Sequence, residues 1–181
     1  MALSATIYKA DLDISDMDRH YYANHALTLA MHPSETEERM MVRLLAFALN
    51  ADEALSFTRG LSAEDEPDLW QKDLTGDIEL WIEVGQPDER RLRKACGRAR
   101  KVIVYAFGGR TANIWWEKTA KDLARLNNLT VFKLPEETTD ALSALVQRGM
   151  RLSCTIQDGD IWFSDGTENL HVQLDTLKET A

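Results

Sequence analysis

Cysteine is nearly absent from this chain of 181 residues: only Cys96 and Cys154 occur. Neither forms a CxxC pair, so a disulfide framework and a zinc ribbon are both excluded as organising devices, and two reduced thiols are expected. No run approaches the ~20 consecutive apolar residues that a membrane helix requires. The first residues, MALSATIYKADLD, lack a basic segment followed by an apolar stretch, so the sequence predicts a cytoplasmic protein with no membrane contact. No long Gly, Ser or Pro stretch and no internal repeat breaks the chain, which predicts one domain spanning residues 1–181. His20, His25, His32 and His171 have no metal-ligand spacing and are assigned structural roles. A GxSxG elbow and a cysteine-protease signature are missing as well, and no motif calls for an organic cofactor.

What the chain does contain is the balance of a globule: 44% hydrophobic and 28% charged residues, with a net charge of −9. That charge repels polyanions, so any contact with DNA or RNA has to come from a local basic patch. Arg90, Arg91, Arg93, Lys94, Arg98, Arg100 and Lys101 supply one, seven basic residues in a window of twelve. On a helix they form a positive face for a phosphate backbone, Arg90, Arg91, Lys94 and Arg98 above all; the other reading is a solvated face balanced by Asp88 and Glu89.

Alternation from Ala5 to Ile14 and from Tyr21 to Ala30, around an Asp16-Met17-Asp18 turn, predicts an N-terminal β-hairpin. Ser34 and Glu37 have capping-box spacing and open a helix over 36–50. Strands are expected at 54–58 and 78–84, then a helix from Pro87 whose first turn is acidic and whose end is basic. The apolar strand 102–107 follows, expected to lie parallel to 78–84 because a helix separates them. A helix over 111–126, a strand over 129–133 and a helix over 136–147 continue the alternation. Residues 152–157, 161–164 and 170–174 read as antiparallel strands joined by Asp-Gly turns. The fold class is therefore α/β, a mixed central sheet flanked by helices, with the 36–50 helix on one face.

One constellation carries chemistry. Pro67-Asp68, fourteen further residues, then Glu83 on a strand brings two carboxylates from neighbouring elements toward one hard cation, Mg2+ or Mn2+. The spacing resembles that of the PD-(D/E)XK fold, in which an acid on the preceding helix supports the site; of Glu35, Glu37 and Glu38, Glu37 is occupied by capping and Glu38 shares a face with Val42, Leu45 and Leu49, so the resemblance implies Glu38 as the third acid. Gly108-Gly109-Arg110, between a strand and a helix, reads as an ordinary turn rather than a phosphate loop. Trp115 and Trp116 are expected to pack one into the core and one across its edge.

The strings Asp65-Glu66-Pro67-Asp68-Leu69-Trp70, Leu80-Trp81-Ile82-Glu83-Val84-Gly85-Gln86-Pro87-Asp88-Glu89-Arg90-Arg91 and Lys94-Ala95-Cys96 resemble the YaeQ family, of the PD-(D/E)XK nuclease-like superfamily. So do His32-Pro33-Ser34-Glu35-Thr36, Ile114-Trp115-Trp116 and Thr155-Ile156-Gln157-Asp158-Gly159. The resemblance spans nearly the whole chain and implies a restriction-endonuclease-like fold. It departs at the lysine expected two residues after the acid, where Gly85 stands; that lysine polarises water and offsets phosphorane charge. Gln86 or Lys101, less directly Lys94, are its candidate replacements. Two functions stay open, a metal-dependent phosphodiesterase using Asp68, Glu83 and Glu38, or a non-catalytic module that keeps the fold to engage nucleic acid or a protein.

Overall fold

A computed structural model describes residues 4–180. The chain forms two compact units: the chain up to Ala51 with Glu137–Gln173, and Asp52–Glu136 with the chain from Leu174 onward.

The first unit is a five-stranded sheet in the order β10-β9-β8-β1-β2. Its strands are β1 (Thr6–Asp16), β2 (Tyr21–Met31), β8 (Gly149–Gln157), β9 (Asp160–Ser164) and β10 (Asn169–Val172). The expected hairpin is there, antiparallel from Thr6↔Met31 to Asp16↔Tyr21. In place of the one mixed central sheet expected there are two: β8 lies parallel to β1, from Lys9↔Gly149 to Asp16↔Ile156, and joins the hairpin and the C-terminal strands into a sheet of their own. Pairing across some 140 positions leaves no local trace, because each strand satisfies its periodicity equally well against any partner. The Asp158-Gly159 turn adopts left-handed backbone at both residues (φ 52° and 81°), and Asp18 accepts both of their N–H groups. Two open concavities of about 520 and 370 Å3 lie over the outer face, where Gly149 and Ser153 leave room beside Asp11 and Arg151.

Helix α1 (Glu37–Leu49) belongs to this unit and lies beside β2, with Phe47 edge-on to His25 at 5.0 Å. Its cap is Thr36, whose hydroxyl accepts from the Arg39 N–H at 3.1 Å, and not the expected Ser34. Ser34 is instead bonded to the His32 ring, and Glu37 is the first helical residue. Met40–Ala48 are buried on every side, so Arg43 among them needs a partner. Glu35 supplies it: its oxygens accept from Arg43 Nη2 (2.6 Å) and Nε (2.9 Å) and from Arg39 Nη1 (2.6 Å). Helix α4 (Glu136–Ser143) ends earlier than the expected 147.

The second unit is a six-stranded sheet in the order β11-β7-β6-β5-β4-β3. It contains β3 (Leu55–Phe57), β4 (Leu69–Lys72), β5 (Ile78–Val84), β6 (Ala99–Ala106), β7 (Leu129–Lys133) and β11 (Asp175–Lys178). β5, β6 and β7 are parallel, as the intervening helices α2 (Glu89–Arg98) and α3 (Arg110–Leu123) require. β4 and β11 were not legible in sequence, being four residues each. No loop separates α2 from β6; Asn128 closes the junction by donating to the carbonyls of Cys96 and Ala99. Trp81, Leu92, Ala95, Val102, Val104, Trp115 and Leu129 form its core. Trp116 packs partly buried against that core, as expected. Both cysteines are free, and burial pushes the Cys96 thiol to about 11 and that of Cys154 to about 12.

Glu35→Ala should destabilise the protein by about 3–5 kcal/mol, because it strands the Arg43 charge in the interior. Adding Arg43→Met should recover part of that loss. Urea denaturation of the single and double variants measures both.

Candidate functional site

Asp68 and Glu83 are brought together. Asp68 stands just before β4, held by its N–H donating to the Ile82 carbonyl (3.0 Å) and its carbonyl accepting from Thr58 N–H (3.2 Å). This pins the residue between β3 and β5 and turns its carboxylate inward, where Oδ2 accepts from the Val84 N–H at 2.8 Å. Asp68 is 2% exposed and Glu83 4% exposed.

Glu83 lies two residues beyond Trp81 on β5, hence on the same sheet face. The Trp81 indole donates to Glu83 Oε1 at 2.8 Å, and Arg91 Nε donates to the same oxygen at 2.8 Å. The rest of the guanidinium is fixed: Nη1 donates to the Glu64 carbonyl (2.8 Å) and Nη2 to the Glu66 carbonyl (2.7 Å). Helix α2 delivers Arg91 there because Asp88 caps it, accepting from the Arg91 N–H at 2.8 Å. Burial, then the nearby Asp68 charge, raise the Glu83 carboxyl to about 7 against the opposing pull of Arg91 and Trp81.

The other candidates are placed differently. Gly85 lies beyond the end of β5 with φ 107°, its N–H donating to the Tyr105 carbonyl. A lysine there is disfavoured by backbone, not by space. The Gln86 amide donates to the Phe107 carbonyl and the Thr111 hydroxyl, both at 2.9 Å, and so clasps the turn after β6. Lys101 is exposed and pairs with Leu80, whereas Glu83 pairs with Val104. An offset of three residues puts Lys101 on the opposite sheet face and about 10 Å back along the strand. Glu38 is on α1, in the first unit.

The basic run divides between two elements. Arg90, Arg91, Arg93, Lys94 and Arg98 are on α2, while Arg100 and Lys101 are on β6. Most have acidic neighbours: Arg93 pairs with Glu89 (2.5 Å), Lys94 with Asp65 (3.7 Å) and Arg100 with Asp73 (3.0 Å). Arg98 donates to the Asp65 carbonyl and covers the Trp81 ring at 5.0 Å. Arg90 and Lys101 are exposed without an ion-pair partner among the described residues.

The turn ahead of α3 takes both its glycines in left-handed backbone, φ 120° at Gly108 and 57° at Gly109, with the Glu136 carboxylate close over Gly109. The Glu136 carboxylate thus already occupies the helix end where an anion would dock.

Sequence reasoning missed the role of Trp81 and the bond from Arg91. The available signals were the i, i+2 spacing of Trp81 and Glu83 on a strand, and an arginine in the first turn of the helix that follows. Among the described residues no group of three or more His, Cys, Asp or Glu side chains gathers to hold a metal ion. One oxygen of Glu83 is bonded to a fixed guanidinium, so a divalent cation at the pair would compete with Arg91 for it.

A family model described as "YaeQ protein" matches residues 1–174. The chain is 52% identical over 174 residues to a Salmonella typhi protein and 50% identical to one from Escherichia coli K12, 96% of each chain being covered; both are described as "Uncharacterized protein YaeQ". Its fold superposes on the crystal structure of a YaeQ protein from Xanthomonas axonopodis pv. citri with a TM-score of 0.92 (54% identity, 97% of this chain and 99% of that one). The corresponding Pseudomonas syringae structure gives 0.93 (38% identity, 97% of each).

Because Glu83 carries a raised folded pKa, its protonated form stabilises the native state. That contribution is complete below the unfolded carboxyl pKa and is lost as pH climbs through the folded value. Relative to Glu83→Gln, the native protein should lose up to roughly 3 kcal/mol between pH ~4.5 and ~7 and level off above. Urea titrations at a series of pH values, native minus variant, test the sign.

Proposed function

The chain belongs to the YaeQ family, and we propose that it is a non-catalytic nucleic-acid-binding module on a restriction-endonuclease-like frame, in which a guanidinium stands where a nuclease holds its metal. The observation that carries this reading is Arg91, bonded at once to Glu83, the Glu64 carbonyl and the Glu66 carbonyl. The acidic pair has its counter-charge built in, and Gly85 supplies no lysine for the attacking water. Binding is assigned to the outward cations of α2, Arg90 and Lys94; Lys101, on the opposite sheet face, is not part of it. The pairs made by Lys94, Arg93 and Arg100 are exposed, and exposed pairs are worth little, so their cations remain open to phosphate.

A metal-dependent phosphodiesterase is the second reading, favoured by the repulsion between Asp68 and Glu83. A cation there would have to displace Arg91 from Glu83. On the non-catalytic reading, millimolar Mg2+ or Mn2+ leaves the melting temperature of the native protein and of Asp68→Asn/Glu83→Gln equally unmoved, and a labelled oligonucleotide stays intact. A metal-induced rise confined to the native protein, with cleavage, establishes the phosphodiesterase instead.

Affinity for a labelled oligonucleotide should fall steeply with salt, because counterion release drives association against a net charge of −9. Arg90→Glu with Lys94→Glu should weaken it at least about tenfold. Arg91 is unsuitable for this test, since its loss also strips Glu83 of its partner. Fluorescence anisotropy across a salt series reads both effects; no binding, or binding indifferent to the double variant, removes nucleic acid as the ligand of this face.

A further inference from the structure

Strand β2 ends the five-stranded sheet, and among the described residues it pairs with β1 alone. Natural sheets guard such edges by keeping them short or by placing charge, proline or a bulge on them. β2 has none of these protections: its eleven residues, YYANHALTLAM, contain no acid, lysine, arginine or proline, and its register with β1 is unbroken. Toward its end the edge is closed, because Leu29 is buried and the Ala30 carbonyl accepts from Arg43 Nη2 at 3.2 Å. That bond also shows that even-numbered residues of β2 turn their backbone groups away from β1, since bonded and non-bonded positions alternate. Over Tyr22–Thr28 those outward groups have no partner among the described residues.

The layer beneath the strand is unfinished in the same place. The inward row of β1 (Tyr8, Ala10, Leu12, Ile14) is sealed at 6% exposure or less, whereas its continuation on β2 (Ala23, His25, Leu27) is only half-buried. On the outward row Tyr22 is 61% exposed. An edge that lacks one strand, and an apolar row that lacks one neighbour, coincide over the same seven residues.

We propose that Tyr22–Thr28 pairs antiparallel with the same segment of a second copy of this chain, joining two five-stranded sheets into one. The segment carries no charge, so two copies meet without repulsion on a chain whose net charge of −9 otherwise keeps copies apart. With His25 on the two-fold axis, facing its own copy, Tyr22 faces Thr28 of the second copy, Ala23 faces Leu27 and Asn24 faces Ala26, so each of these off-axis pairs sets a longer side chain against a shorter one. Asn24 and Ala26, Tyr22 and Thr28 then form the bonded pairs. An interface of this length lies at the small end of specific contacts, which makes the dimer reversible in the micromolar range.

Sedimentation equilibrium of the full chain from low micromolar to sub-millimolar concentration tests the proposal. The native protein should pass from monomer to dimer. Ala26→Pro removes an outward N–H that is unpaired in the monomer, a substitution that edge strands tolerate. Tyr22→Lys with Thr28→Lys places like charges opposite one another across the two-fold, beside Ser15 and Lys9 rather than the acids Asp11 and Asp13 that adjoin Asn24 and Ala26. Each variant, checked for a native circular-dichroism spectrum, should weaken dimerisation at least about tenfold. Amide exchange at Tyr22, Asn24, Ala26 and Thr28 should slow as native concentration rises. A native protein that stays monomeric throughout, or a folded lysine variant that dimerises as the native protein does, overturns it.

Discussion

Two carboxylates cannot share a dry interior without a counter-charge, and the second unit is arranged around meeting that demand. Asp68 is satisfied by a backbone amide and Glu83 by an indole and a guanidinium. The guanidinium is held by α2, and the carbonyls it grips belong to the 63–68 segment that carries Asp68. One arginine therefore joins the helix, the central strand and the polar loop, and three of the unit's elements depend on it. Removing such a partner leaves a charge that cannot be rehydrated, so its cost exceeds the worth of the bond itself.

The same logic recurs in the first unit, where Glu35 neutralises Arg43 on a helix buried all round. In both units a buried charge lies within ten residues of its partner, so the two arrive on adjoining local elements. Both pairs tie a helix to the chain beside it. In the second unit the helix so anchored is the one that bears the cationic face.

That face explains how an acidic chain can present positive charge. Arg93, Lys94 and Arg100 lean on acids of their own surface, which lowers their field at a distance. At contact the pairs are solvent-exposed and weak, and a phosphate can replace a carboxylate with little net change. Long-range repulsion with short-range attraction is the expected behaviour of such a surface.

Periodicity and punctuation by themselves determined the local elements: the hairpin at 6–31, the parallel β5-α2-β6 unit, β7 over 129–133 and the Asp158-Gly159 turn. They also singled out Asp68 and Glu83, because Pro-Asp followed by a strand glutamate is a local pattern. Only the tertiary structure decided that the terminal strands form a second sheet, since the β1 and β8 pairing joins residues some 140 apart and strand periodicity names no partner. The short strands β4 and β11 likewise exist only through their neighbours. The identity of the cation beside Glu83 was decided in space too: seven basic residues looked alike in sequence, and helix phase together with the Asp88 cap turned Arg91 inward while leaving Arg90 in solvent.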